Sequence, residues 1–131
     1  MNIDEEIKKI IKKKDYDFWI FLEKAYENNV KLDIGHFILL NLLIGIYDLY
    51  KKLCDSLGED RAKEIFNSYK IFAKNSDYIS GEFLKKYINR KSRVAVHNRI
   101  KDLKSLGFKI ESKSGAYGGY KLIDVPEWFK R

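Results

Sequence analysis

In the N-terminal part of the chain, apolar side chains recur at the spacing of an amphipathic helix. The isoleucines of the first run lie on one face among lysines and glutamates, and the pattern resumes after Asp15. It predicts either one long helix or two helices joined near Asp15, ended by Asn28 and Asn29. The apolar positions are Ile3, Ile7, Ile10, Ile11, Phe18, Phe21, Leu22 and Ala25.

A second helix is predicted over Ile34–Leu57, with Asp33 as its N-cap and Gly58 as its C-terminal stop. Its apolar residues occupy nearly every side instead of one face, so it has to be covered all round. Either the rest of one chain buries it, or a second copy of the protein does. Because the chain has few other elements to surround it, we favour a homodimer through this helix.

Three shorter elements are predicted around this central part. Asp60 is the predicted cap of a third helix, whose apolar rhythm continues to Ala73. A turn follows, and Tyr78–Ile79 is expected to form a short strand that pairs with a later hairpin. Near the end of the chain, Asp124 is a predicted cap and Pro126 the first residue of a last helical turn.

The stretch after residue 79 carries a recognisable order of elements. They are a helix opened by Ser80, a polar break at Asn89–Lys91, a helix capped by Ser92 and ended by Gly107, and strands at Phe108–Ser112 and Tyr120–Ile123. This is the order of a winged helix-turn-helix, a DNA-reading architecture. The predicted fold class is therefore mostly α with a small β-hairpin wing (α+β). The winged helix-turn-helix would occupy residues 60–131, and residues 1–59 would form an N-terminal helical dimerisation extension.

Individual residues of this stretch follow the pattern of a known family. It resembles the N-terminal DNA-binding domain of the biotin–protein ligase/repressor family and of related prokaryotic transcription regulators. The matching residues are Ser80, Gly81, Glu82, Ser92, Arg93, Ala95, Val96, Ile100, Leu103, Gly107, Gly119, Tyr120 and Leu122. The turn Asn89–Lys91 and a longer wing tip depart from the family pattern. The resemblance implies DNA binding, and we expect no ligase activity because nothing after the wing matches that catalytic domain.

Charge is distributed unevenly along the 131 residues. Residues 1–60 hold 9 basic and 12 acidic side chains, a net charge of −3, whereas residues 61–131 hold 17 and 7, a net charge of +10. A solvated lysine-rich surface would also give a basic chain. The excess lies in the half that resembles a DNA-binding domain, which favours a nucleic-acid partner.

Cysteine use and hydropathy indicate where the protein works. Cys54 is the only cysteine, so no intramolecular disulfide is available and a reducing compartment is expected. The N-terminus has no apolar signal region, and the apolar stretch Ile34–Tyr47 is too short to span a bilayer. We therefore predict a cytoplasmic protein without a membrane partner.

The second helix of the winged region predicts which side chains face DNA. If Val96 points inward, then Ile100 and Leu103 do so too at about 100° per residue. Val94, Asn98 and Lys101 would point outward, and His97 and Lys104 would lie on a flank.

These directions assign candidate DNA contacts. Arg93 matches the edge of guanine and Asn98 that of adenine. Lys101 and Lys104 are expected at phosphates, and Ser92 offers a hydroxyl to the same backbone. Each of these residues is also compatible with an ordinary exposed position, and Arg93 could instead hold the turn through Glu82.

The glycine-rich wing tip contributes two more candidates. Lys113 brings positive charge, and Tyr117 could lie along a sugar or pack under the hairpin. The full set of predicted DNA-binding residues is Ser92, Arg93, Val94, His97, Asn98, Lys101, Lys104, Lys113 and Tyr117.

The leading functional hypothesis is a sequence-specific double-stranded DNA-binding transcription regulator acting as a homodimer. The alternatives are a winged-helix protein-interaction module of the transcription or replication apparatus, and an RNA-binding domain. An enzyme is not predicted, since His36 and His97 are the only histidines and no nucleophile–base or metal-ligand spacing is present. No cofactor or metal is expected.

Overall fold

A computed structural model describes residues 2–13, 16–88, 92–115 and 118–130. Its elements are α1 (Ile3–Ile11), α2 (Phe18–Glu27), α3 (Ile34–Leu57), α4 (Glu59–Ser68), β1 (Ile79–Ser80), α5 (Gly81–Lys85), α6 (Arg93–Ser105), β2 (Lys109–Lys113), β3 (Gly119–Asp124) and a final 3-10 helix (Glu127–Phe129). The predicted break at Asn89–Lys91, the junction at Asp15 and the wing residue Tyr117 lie outside the described residues. The predicted fold class, α+β with a winged helix, is confirmed.

The N-terminal apolar pattern forms two helices, which decides between the two predicted arrangements. The Asp17 side chain caps the second by accepting hydrogen bonds from the backbone amides of Trp19 (3.1 Å) and Ile20 (3.3 Å). Asn28 follows α2 as its C-cap, as predicted, and Asn29 adopts a positive φ of 55°. A local cap and a local stop therefore set both ends of α2.

The central helix α3 has the predicted bounds. Asp33 accepts a hydrogen bond from the His36 amide (3.3 Å), and the His36 ring accepts one from the Asp33 amide (3.0 Å). This reciprocal pair closes the first turn as a capping box does. Gly58 ends the helix with φ +87°. Glycine adopts this conformation with little strain because it has no Cβ.

The middle of α3 is buried inside a single protomer. Helices α1, α4 and α6 and strand β3 pack against it, and its fully buried side chains are Leu39, Leu40, Leu42, Leu43 and Ile46. The interpretation that a second copy covers these residues is therefore wrong. The apolar pattern correctly required a cover on every side, but the cover comes from the helices and sheet of the same chain.

The third predicted helix is shorter than its apolar rhythm suggests. It begins at Glu59 directly after Gly58, not after a cap at Asp60, and it ends at Ser68 instead of Ala73. The chain beyond it is extended: Ile71 accepts a hydrogen bond from the Ser80 amide (2.8 Å), and Ala73 donates one to the Tyr78 carbonyl (2.8 Å). Burial of Ile71 and Ala73 on either side of a half-buried Phe72 fits a period of two, the period of a strand.

The three strands form one antiparallel sheet in the order β1-β3-β2. Ile79 pairs with Tyr120 in the strand predicted before the helix-turn-helix, and Ile110 pairs with Leu122 in the hairpin. At Gly119 a Cβ would lie 2.4 Å from the Ile79 carbonyl oxygen, so only glycine permits this close approach of β1 and β3.

The C-terminal prediction needs a small correction. Pro126 stands before the 3-10 helix as its N-cap and not as its first residue, because its ψ of 156° is extended. Asp124 accepts a hydrogen bond from the Val125 amide (2.8 Å), one residue along the chain. The following Trp128 donates its indole N–H to the Leu106 carbonyl (3.0 Å), which fixes the end of the chain beside α6.

Aromatic rings connect the N-terminal helices to the winged region. Phe21 of α2 lies 5.0 Å from Phe37, 5.9 Å from Phe108 and 5.2 Å from Trp128, measured between ring centroids. The buried residues form one cluster that includes α1, α3, α6 and the sheet. The division into units 1–59 and 60–131 stays a prediction. Within the described ranges, no helix is both long and apolar enough to cross a bilayer.

Burial of α3 within one chain leads to a prediction about stability. Leu40→Ala should lower the free energy of unfolding by about 2–5 kcal/mol, because it removes buried methyl groups and leaves a cavity. Leu57→Ala, at a half-exposed position of the same helix, should change it by less than about 0.5 kcal/mol. Urea unfolding measures both. A Leu40→Ala protein of unchanged stability that dissociates from dimer to monomer would contradict this arrangement.

Candidate nucleic-acid interface

Helix α6 begins and is oriented as its sequence predicts. The Ser92 hydroxyl accepts a hydrogen bond from the Ala95 amide (3.3 Å), so Ser92 is the N-cap. Val96, Ile100 and Leu103 are buried and hold the helix against the core. The opposite side of α6 is therefore presented to solvent.

The solvent-facing side of α6 carries most of the predicted DNA contacts. Val94 is 65% exposed, an unusual position for a β-branched apolar residue unless something else covers it. The other exposed members are Ser92, His97, Asn98, Lys101 and Lys104. Two lysines, an imidazole and a carboxamide thus share a single surface, which we call the α6 face.

The hairpin of β2 and β3 lies beside the α6 face. Lys104 Nζ is 3.4 Å from the Ser112 hydroxyl, and the Tyr120 hydroxyl is 3.5 Å from His97 Nδ1. Burial raises the pKa of Tyr120, which keeps its hydroxyl protonated and able to donate to the imidazole. The exposed Lys113, paired with Gly119 at the end of the hairpin, adds a charge there. The structure thus brings helix and wing candidates together, except Tyr117, which is not among the described residues.

Arg93 occupies the junction of α5, α6 and the wing. Its guanidinium is 4.0 Å from the Glu82 carboxylate, the pairing considered as an alternative to base contact. A Cβ on Gly81 or on Gly118 would come within 3.2 Å or 3.1 Å of the guanidinium nitrogens, so both glycines make room for it. A hydrogen bond from Lys85, with a smaller contribution from Arg93, lowers the pKa of Glu82 and keeps its charge available. The Arg93 side chain thus lies beside the Glu82 carboxylate and between two glycines, with about a third of it exposed to solvent.

A polar junction that the sequence did not reveal fixes α6 from behind. Arg99, on the inner flank of the helix, donates from both Nε (3.0 Å) and Nη2 to the carboxylate of Asp33. The buried His36 accepts at Nδ1 from the Asp33 amide, so its ring proton lies on Nε2, which donates to Asp102 (2.7 Å). The N-terminus of α3 therefore holds two successive turns of α6. We call Asp33, His36, Arg99 and Asp102 the α3–α6 junction.

No local sequence signal could have identified this junction. The two residues of each pair, Asp33 with Arg99 and His36 with Asp102, lie 66 positions apart in the sequence. In its own segment, Asp33 has only the pattern of a helix cap. Hydrogen bonds from Arg99 hold the pKa of Asp33 at about 2, below its ordinary value of 3.8. A Cβ at Gly35 would lie 2.5 Å from Arg99 Nε, so the guanidinium also packs closely over the first turn of α3.

The described residues contain no group of three or more His, Cys, Asp or Glu side chains arranged to hold a metal ion. The α6 face has a different composition. It combines exposed donors, a carboxamide and positive charge on a helix held from behind by a polar junction and flanked by a β-hairpin. Such a helix and hairpin define a winged helix-turn-helix protein.

Comparisons with known proteins place the chain in a family. A family model described as an HTH domain matches residues 66–121, which run from the end of α4 into the first half of β3. The chain is 73% identical over 131 residues to the uncharacterized protein MJ1005 of Methanocaldococcus jannaschii, and the match covers the whole of both chains. It belongs to the same family as that protein. No solved structure matches it.

The α3–α6 junction predicts a particular pH dependence of stability. Because the pKa of Asp33 is lowered on folding, its contribution is fully present above the unfolded value of 3.8 and is lost as the pH falls through about 2. Asp33→Asn keeps a capping side chain but removes the charge. The mutant should be less stable than wild type near neutral pH, and the difference should shrink as the pH falls from about 4 to about 2.

Urea unfolding at several pH values measures this difference. Asp55→Asn, at an exposed position near the other end of α3, is the matched control and should follow the wild type throughout. A difference between Asp33→Asn and wild type that stays constant over the whole pH range would contradict a charge-based junction.

Proposed function

We propose that this protein is a sequence-specific double-stranded DNA-binding transcription regulator that acts as a homodimer. The observation that carries the proposal is the α6 face. It is an exposed helix surface with Asn98, Lys101 and Lys104, bordered by a basic wing and held on an HTH fold. The resemblance to the DNA-binding domain of the biotin–protein ligase/repressor family supports the same docking, with the N-terminal half of α6 in the major groove. We propose no enzymatic activity and a cytoplasmic location.

The α6 face supplies base contacts of two kinds. The carboxamide of Asn98 can pair with the N6 and N7 edge of adenine, which presents one donor and one acceptor. The exposed methyl groups of Val94 can contact the methyl group of thymine. That contact would be favourable because it removes apolar surface of Val94 from water. The sequence predicts that Arg93 contacts the edge of a guanine base. Its position beside Glu82 means that it would have to extend from the junction of α5, α6 and wing to reach a base edge.

The remaining candidates are proposed to position the protein on the DNA backbone. Lys101, Lys104 and Lys113 are exposed cations near the helix and the wing, and Ser92 lies at the helix N-terminus, where backbone amides attract phosphate. His97, held near Tyr120, lies between the two groups. An RNA duplex suits this surface less well, because its deep and narrow major groove does not admit a helix.

Salt dependence is the first test of the proposal. Three lysine contacts to phosphate per protomer predict a slope of log affinity against log salt near −2.7 per protomer, or steeper if Arg93 or Ser92 adds to them. Fluorescence anisotropy with labelled duplex DNA, selected from a random pool, measures this slope. Duplex RNA of the same sequence should bind more weakly. Salt-independent binding, or no DNA binding at low salt, would overturn the proposal, and preferential RNA binding would favour the RNA alternative.

The second test separates base reading from backbone holding. Asn98→Ala should cost about 1–3 kcal/mol on the selected duplex and little on a scrambled one. Lys113→Ala should weaken binding to both duplexes alike and reduce the salt slope by about one unit. Both side chains are exposed, so melting temperatures should stay near that of the wild type.

Lys51→Ala, an exposed lysine of α3 outside the proposed surface, is the matched control and should bind as wild type. If Lys113→Ala abolished the preference for the selected duplex while Asn98→Ala preserved it, the roles of helix and wing would be reversed. If neither substitution changed binding, the α6 face would not be the DNA site.

A further inference from the structure

Helix α2 exposes several apolar side chains to solvent. Trp19 is 81% exposed and Tyr26 is 86% exposed, values far above those of aromatic residues that serve the fold. Phe18 and Leu22 of the same helix are about half exposed, and Ile34 at the start of α3 is exposed as well. We call these five residues the α2 patch.

The members of the α2 patch form a continuous arc. At about 100° per residue, Trp19 and Tyr26 point within about 20° of each other, Leu22 lies about 40° further round, and Phe18 about 40° beyond it. The side of α2 that faces the protein is a different one, occupied by the buried Phe21 and Ala25. Of the patch residues on α2, Phe18 also packs on the protein, with its ring 5.0 Å from that of Phe37, whereas Trp19 and Tyr26 project into solvent.

An apolar groove adjoins the arc. It has a volume of about 330 Å³ and is lined by Phe18, Leu22, Ile34, Phe37 and Ile38 among others. This volume is at the lower end of the range for cavities that enclose small molecules, so the groove suits an aromatic side chain. A projecting indole and a receiving groove thus occur side by side on one surface.

We propose that the α2 patch is the homodimer interface, with the Trp19 side chain of each protomer seated in the groove of its partner. A surface that carries both the projecting and the receiving half is self-complementary under a two-fold axis, as an isologous interface requires. This inference rests on the proposed function insofar as a dimeric regulator is expected. The proposal moves the dimer interface from the buried middle of α3 to the α2 patch, a surface that a second copy can reach.

The available area supports a second copy as the occupant. Large aromatic side chains bury about 150–250 Å² each, so Trp19 and Tyr26 alone supply roughly half of the ~800 Å² that each partner of a standard interface buries. The half-exposed members and the groove contribute further area.

Sedimentation velocity over a range of protein concentrations tests the interface. The wild type should convert from monomer to dimer, and the double variant Trp19→Lys/Tyr26→Lys should raise the dimer dissociation constant at least about 100-fold. Leu57→Lys and Ile123→Lys are matched controls, since both replace half-exposed apolar residues outside the patch. They should dimerise as wild type does. All variants should keep the wild-type circular dichroism and melting temperature.

Fluorescence supplies a second measurement that does not disturb the patch. Trp128→Phe leaves Trp19 as the only tryptophan of the chain. Its emission should shift to shorter wavelength as the protein concentration rises, because the indole moves from water into the groove. Emission that does not change while the protein dimerises would overturn the seating of Trp19.

The DNA-binding assay separates failure of the interface from failure of the proposed function. The monomeric double variant should bind a duplex carrying one half-site as wild type does, and should lose the cooperative binding to a duplex carrying two. A wild type that stays monomeric at high concentration, or a double variant that still dimerises, would overturn the interface and leave DNA binding intact. Absence of DNA binding by every variant, with a dimer that responds as expected, would instead overturn the proposed function.

Discussion

The burial of the middle of α3 is the constraint on which the rest of this structure depends. A helix that is apolar on nearly every side is stable only if other elements shield it from water. The transfer of its side chains out of water is the largest favourable contribution to the folding free energy of a chain of this size. Helices α1, α4 and α6 and strand β3 all pack on it. The winged region is thus built on the N-terminal helices rather than joined to them by a linker.

Apolar contact alone would leave α6 free to slide or rotate, because dispersion and the hydrophobic effect have little directional preference. The α3–α6 junction adds direction. A two-pronged guanidinium–carboxylate contact from Arg99 and a hydrogen bond from His36 fix both the height and the rotation of α6 relative to α3. Since three of the four partners, Asp33, Arg99 and Asp102, are partly exposed, the value of this junction lies in geometry more than in stability.

Much of the fold could be predicted because its signals are local. Asp33 and Gly58 mark the ends of α3, and Ser92 and the buried Val96, Ile100 and Leu103 mark the start and inner face of α6. The α4 prediction was wrong at its C-terminal end because Phe72 and Ala73 also satisfy a helical rhythm. Pairing with Tyr78–Ser80, a few residues further along the chain, makes that segment extended.

The parts of the surface that could not be predicted depend on contacts between remote residues. The apolar pattern of α3 predicts that other elements cover the helix, but it does not identify those elements. Cover by a second copy and cover by the same chain both agree with the pattern. The Arg99–Asp33 and His36–Asp102 contacts each join residues 66 positions apart, and neither partner is unusual in its own segment. Exposure of Trp19 and Tyr26 is likewise a tertiary property, since their helix reads as amphipathic with or without them.

The attachment of α6 through Arg99, Asp102 and its buried apolar residues has a meaning for how this protein can change. The residues that hold the helix and the residues that face outward do not overlap. Substitutions at Val94 or Asn98 therefore change the outward surface of α6 without weakening the fold. A scaffold of this kind tolerates sequence drift on that surface, and in the proposed DNA-binding role it offers a small platform onto which new sequence preferences could be engineered one side chain at a time.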